Sequence, residues 1–335
     1  MVGVAPRLWT KLMKRREFIS LLGGMAAGWP VAAQPQERGR VYRLGCLLPT
    51  EAGSSAWAAF LDELRLNGFI EGQNLMVIPG GLNIRRDEVD AKVDPIVKAE
   101  PDAIVSGPDH YTRAVQQATR SIPIIAMSED MVLEGLVTSL SRPGGNTTGI
   151  SLLSPELDGK RQDLLIDAAP GVRRIAILLD ATRTGQEHVK KLEAAAAARG
   201  IEIDVFGVRT PNNVLPAIDA AKASAAGAIN FLATPLFTIN ARPLLDRIAA
   251  LRMPAIHQWP EMAEEGGLIG YGPRFTGVFR QRARLVARVL RGAKPADIPV
   301  EQPTIFELVI NLKTAKAIGH EVPAGLVLRA DKLIE

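Results

Sequence analysis

The sequence predicts an α/β protein of two doubly wound, parallel-sheet lobes. Three observations carry this. From Val41 onwards, short β-rich runs alternate with stretches that place apolar residues at helical spacing. Regular βαβα alternation builds parallel sheets covered by helices on both faces. The rhythm pauses at "SRPGGNTTGIS", Ser141 to Ser151, where Pro143-Gly144-Gly145-Asn146 is a strong turn signal. It then restarts: "YRLGCLLP" opens the first half, and "RRIAILLD" opens the second about 130 residues later. The halves share no convincing identity, so the repeat is one of architecture.

The elements follow in order. The first half carries strands at 41–48 "VYRLGCLL", 75–78 "LMVI", 103–106 "AIVS", 122–127 "IPIIAM" and 147–152 "TTGISL". The second carries 173–179 "RRIAILL", 201–208 "IEIDVFGV", 227–232 "GAINFL", 254–257 "PAIH" and 267–271 "GLIGY". Helices are expected within 55–67, 87–99, 110–120, 156–168, 184–199, 212–225 and 240–251. In the last of these Leu244, Leu245, Ile248, Ala249 and Leu251 form an apolar stripe. Phe275 to Arg291 reads as one longer helix. Five arginines lie among Val278, Leu285, Val286, Val289 and Leu290, and Gly292 ends it. An extended connector, a strand at 304–310 and a short helix capped by Asn311 or the residue after it follow.

The leader is read apart from the fold. Lys14, Arg15 and Arg16 form a positive head, Phe18 to Ala27 a short apolar middle broken by Gly23 and Gly24, and "WPVAA" a small-residue end. That is the pattern of an export signal, 1–33, cleaved near Ala33, with Met13 as an alternative start. The apolar run is too short to span a bilayer, which needs roughly 20 apolar residues. The paired arginines point to twin-arginine export, with the general secretory route as the other possibility.

The leader holds five basic residues and one acid; removing these from the 40 basic and 36 acidic residues of the chain leaves 35 of each. A neutral mature chain gives no footprint for nucleic acid. The remaining stretch of about 300 residues, in a chain 47% apolar, suits two domains. A single cysteine, Cys46, excludes an internal disulfide and a cysteine-based metal cluster, and inside "VYRLGCLL" it reads as a small buried hydrophobe.

The motifs of phosphate-binding loops, nucleophile elbows, zinc proteases and dinucleotide folds are absent. No catalytic residue, metal ligand or cofactor is therefore assigned. In doubly wound sheets a ligand binds beyond the carboxyl ends of the strands. That rule selects Thr50 and Ser54 in "PTEAGSS", Ser106, Asp109, His110 and Tyr111 after the third strand, and Ser128 and Asp130 after the fourth. In the second half it selects Asp180, Thr234, Phe237, His257 and Tyr271. Thr50 and Ser54 read equally well as an ordinary loop and N-cap. The rings at Tyr111, Phe237, Trp259 and Tyr271 could stack on a flat ligand or fill the core. Glu129 beside Asp130 gives no acid–base pair, since adjacent side chains diverge. His188 and His320 read as surface residues.

"SLSRPGGNTTGIS", "GGLIGYGP…RVLRGAKPADIPVEQPTIFELVINLKTAKAIG" and the terminal "VLRADKLIE" resemble the ABC-transporter substrate-binding proteins of the tryptophan/tyrosine type. The leader "MKRREFISLLGG" is similar to their export signal. The resemblance implies a type I periplasmic-binding-protein fold: two lobes joined by hinge strands, with ligand held between them. By that analogy the first lobe is 40–149 plus 272–297, and the second is 150–271 plus 298–335 with the hinge and C-terminal segment. It further implies a monomeric periplasmic receptor that hands a small molecule, an amino acid or aromatic or organic acid, to an inner-membrane ABC permease and its ATPase. Periplasmic sensing through a membrane partner is the alternative, and an enzyme on the same scaffold a third reading. The sequence departs from the family's usual small-residue stretch at Gly107-Pro108-Asp109-His110-Tyr111, and from its usual proline after Asp130. Both departures fall at expected ligand loops.

Overall fold

A computed structural model describes residues 39–335; the leader 1–33 lies outside the described residues. Two sheets organise the chain. The first contains β1 (Tyr42–Leu47), β2 (Leu75–Val77), β3 (Ala103–Ser106), β4 (Ile124–Ser128) and β5 (Thr147–Ser151), in the order β2-β1-β3-β4-β5 and parallel throughout. The second contains β6 (Arg174–Asp180), β7 (Glu202–Val208), β8 (Ala228–Phe231), β9 (Ala255–His257), β10 (Ile269–Gly272), β11 (Glu307–Asn311) and β12 (Lys332–Ile334). Its order is β12-β11-β10-β9-β8-β6-β7, and β11 runs antiparallel to β10. The central strands β3 and β8 are buried along their whole length, as strands covered on both faces must be. The edge strand β7 is largely open to solvent.

Helices cover the sheets: α1 (Ser55–Leu66), α2 (Val89–Lys98) and α3 (Asp109–Ala118) in the first lobe, then α4 (Ser154–Ala168), α5 (Gln186–Ala197) and α6 (Val214–Ala223). The short helix α7 (Pro235–Ile239) runs into α8 (Ala241–Ala250), followed by α9 (Pro260–Glu264). Helix α10 (Phe275–Leu290) packs on α1 and against β3, β4 and β5, so the chain returns to the first lobe after completing β10. Phe279 on α10 meets Phe60 on α1 edge-on at 6.4 Å, and Phe60 stacks on Trp57 at 5.0 Å. Such aromatic pairs contribute about 0.5–1.5 kcal/mol each beyond their area. Helices α11 (Leu312–Ile318) and α12 (Ala324–Val327) close the second lobe. Asn311 caps α11 by accepting from Thr314 N at 2.9 Å.

The chain passes between sheets three times: β5 to α4, β10 to α10, and the segment after residue 298 into β11. The first and third passages run side by side. Glu301 N donates to Gly149 O and Ser151 N to Glu301 O, each at 2.9 Å, and Thr148 Oγ1 donates to Ile298 O at 2.8 Å.

Candidate functional site: the cleft between the lobes

A cavity of about 580 Å³ lies between the two sheets. Its first wall comes from segments that follow β1, β2 and β3: Pro49, Asn83 to Asp87, His110 and Tyr111. Its second wall comes from the ends of β6, β7 and β8: Asp180, Arg183, Arg209 to Pro211, Thr234 to Leu236, Ile239 and Asn240. Carboxyl-end loops of both sheets therefore converge on one space, where doubly wound folds hold ligands.

Each wall is fixed by its own hydrogen bonds. The loop after β2 is pinned to that after β1, since Ile84 N donates to Leu48 O at 3.0 Å and Asn83 N to Thr50 O at 2.9 Å. Tyr111 Oη donates to Ile84 O at 2.6 Å, and burial pushes its phenol up to about 12, so it stays a donor. On the other wall Asp180 accepts from Thr182 N and Thr182 Oγ1 at 2.9 and 2.5 Å, and from Thr234 Oγ1 at 3.2 Å. Thr234 caps α7 through Leu236 N at 3.3 Å. One carboxylate thus orients two strand-end loops.

Arg183 connects the walls. It projects from the second lobe and pairs with Asp109 at the start of α3 and with Glu134 at 2.9 Å, both in the first lobe. Arg113 holds the other oxygen of Glu134 at 2.8 Å. Asp109 is 2% exposed, so Arg183 rather than water faces its carboxylate. His110 is held neutral: burial, then the nearby Arg86 guanidinium, push it down to about 4.

A second polar cluster sits at the passages between lobes. Glu129, just after β4, accepts from Ser154 Oγ at the start of α4 and from Gln258 Nε2 at 2.8 Å. Burial pushes its carboxyl up to about 7 against the Ser154 hydrogen bond and the Arg183 and Arg161 charges. Arg161, fully buried, donates to Ser154 O and Tyr271 O at 3.2 Å each and pairs with Asp158 at 2.6 Å. It therefore clasps the first and second passages together.

The strand-end rule places His110, Tyr111, Asp180 and Thr234 on the cavity, with Asp109 joined to it through Arg183. The other expected residues lie elsewhere. Ser54 is the N-cap of α1 and accepts from Trp57 N at 3.3 Å, while Thr50 serves through its carbonyl. Asp130 caps a turn by accepting from Val132 N and Leu133 N at 3.0 Å. Ser106 is buried against Thr112 Oγ1 at 2.9 Å, and Ser128 is also buried. His257 is a core residue, 1% exposed and stacked on Phe231 at 5.2 Å, and Phe237 meets the same ring edge-on. Tyr271 packs on the second lobe's core. Ser106, Ser128, His257 and Tyr271 lie in strands, where successive residues face opposite sides of a sheet, and one sequence does not reveal which side faces the cleft. The residues that strand-end reasoning missed are the arginines Arg86, Arg183 and Arg209. They sit in loops past the strand ends, where neither periodicity nor a motif marks them.

Residues 61–334 match the family described as ABC transporter substrate binding protein. The chain belongs to that family. Among curated relatives, a tyrosine-binding protein of Clostridioides difficile (strain R20291) is 26% identical over 268 residues, 78% of this chain and 76% of that protein. Among solved structures, a conserved domain protein from Vibrio cholerae is similar with a TM-score of 0.78 at 23% identity, over 88% of this chain and all of that one. The complex of an ABC domain with L-Trp from Streptococcus pneumonia gives 0.77 at 22% identity, over the same shares. These likenesses carry the fold: two α/β lobes joined by hinge strands, as in periplasmic binding proteins. Among the described residues, no helix of this substrate-binding protein is long and apolar enough to cross a membrane.

Proposed function

We propose that this substrate-binding protein is an exported, non-catalytic receptor that captures a small solute between its lobes and delivers it to an inner-membrane ABC permease. The observation that carries the reading is the cavity of about 580 Å³ walled by strand-end loops of both lobes and spanned by Arg183. A ligand that touches both walls is bound fully only when they are together, so it favours the closed arrangement by its differential affinity. The lobes that move are 40–149 plus 272–297 and 150–271 plus 298–335, turning about the three passages. A relative named for tyrosine binding and a structural neighbour seen with L-Trp support a solute of amino-acid or aromatic-acid size. The closed protein is the form a permease recognises, and the leader 1–33 takes the chain to the periplasm.

The test is a thermal-shift panel of amino acids, aromatic acids and small organic acids, followed by small-angle scattering with any hit. A ligand at a hundred times its Kd stabilises the native state by about 2.7 kcal/mol. The expected result is a raised melting temperature together with a smaller radius of gyration. A panel without any shift, or a bound solute without compaction, contradicts the reading.

A further inference from the structure

We propose that the cleft selects an organic anion, a carboxylate on an apolar body, over the zwitterionic amino acid of the same shape. This rests on interlobe capture and narrows it to a substrate class. Among the described residues, the acids at the cavity are already committed. Asp180 accepts on both oxygens from Thr182 and Thr234, and Asp109 is held by Arg183. Asp87 faces water and lies 3.4 Å from Arg85, which also pairs with Glu88 at 3.2 Å. Of the acids that line the cavity, none offers an entering ammonium group a buried carboxylate without a partner; Asp109, whose buried Oδ1 accepts no hydrogen bond, is not among the lining residues.

The cations are not all committed. Arg86 on the first wall and Arg209 on the second make no hydrogen bond or ion pair among the described residues. The cavity thus presents one uncompensated guanidinium from each lobe. Arginine's planar fork matches a carboxylate with two parallel hydrogen bonds, and the excess of arginines over acids along the cleft attracts anions. Beside Arg86, the imidazole of His110 is kept neutral, and its buried Nε2 has no partner. It can hydrogen-bond a ligand without adding a third charge. Pro49, Ile84, Pro235, Leu236 and Ile239 supply the apolar remainder of the walls. An anion that reaches both arginines also neutralises the repulsion between the walls as they approach.

The experiment uses three molecules with one body: 3-(4-hydroxyphenyl)propanoate, L-tyrosine and tyramine, titrated calorimetrically into the mature protein at low and moderate salt. The expected result is that the propanoate binds at least tenfold tighter than L-tyrosine, that tyramine gives no binding, and that added salt weakens the propanoate. R86Q and R209Q should each weaken it at least tenfold. Both side chains are exposed, so the variants should melt like the parent. L-Tyrosine binding as tightly as the propanoate, or propanoate affinity unchanged in both variants, overturns the proposal and leaves the receptor reading standing. Silence from all three molecules also overturns it; the receptor reading falls only if the wider panel is silent too.

Discussion

Glu129 is enclosed where the first lobe meets the start of α4, and its carboxyl is raised from 4.5 to about 7. The native state therefore holds its proton more tightly than the unfolded chain. Its contribution to stability is full below pH 4.5 and is lost as pH rises towards 7, by about 2–3 kcal/mol. Glu129→Gln should flatten that part of the pH profile, which urea unfolding at pH 4.5 to 7.5 measures; an unchanged slope contradicts it. His257 acts in the other direction. Burial pushes it from 6.5 down to about 3, so the native state resists its protonation and loses stability as pH falls below 6.5. His257→Leu should remove that acid-side loss, and the same unfolding series at pH 6.5 to 4 reads it. The two groups oppose each other over a shared window, so only the variants separate them. The strand-end rule reached Asp180, Thr234, His110 and Tyr111 because each stands within a few residues of a strand terminus. It also selected His257, at the end of β9, and Phe237, in α7, which both turn into the core, because position near a strand terminus does not fix which way a side chain faces.

At the scale of elements, the passages between lobes depend on close backbone contact. A Cβ on Gly272, at the end of β10, would lie 2.1 Å from Gln258 O, and one on Gly149, in β5, 2.1 Å from Ala126 O. Real Cβ atoms do not approach so closely, so the strands must separate. Gly272→Ala and Gly149→Ala should each destabilise by about 1–3 kcal/mol, the usual range for overpacking. Gly185→Ala, where nothing stands within 4 Å and only the N-cap preference for glycine over alanine is lost, should cost less than either. Chemical denaturation of the three proteins checks this, and equal stabilities contradict it. Buried strands such as β3 and β8 were legible as apolar runs bounded by turns, and α10 as a long amphipathic stripe. The short helices α7, α9 and α12 were not, since four or five residues carry too little periodicity. Strand β12 was missed for the same reason, with only three residues at an edge.

At the scale of the whole molecule, Arg183 is the tie across the cleft. Its removal leaves Asp109 buried without its partner, a state that opening of the lobes relieves by hydration. Arg183→Ala should shift the unliganded protein towards the open arrangement by about 1–3 kcal/mol, seen as a larger radius of gyration by scattering. Two-lobed architecture was legible in the restart of the βα rhythm at "RRIAILLD", whereas the return of α10 to the first lobe rested on family resemblance. Contacts between segments 150 residues apart, such as Thr148 with Ile298, leave no local trace in a sequence. The central claim is that the lobes shut around a solute. Cys46 is buried, so cysteines introduced at the exposed Glu51 and Asn212 can be spin-labelled selectively, one on each lobe. The pulsed-resonance distance distribution should be broad without solute and collapse to its short component with a saturating hit from the panel. A distribution that stays unchanged at saturation would contradict the account.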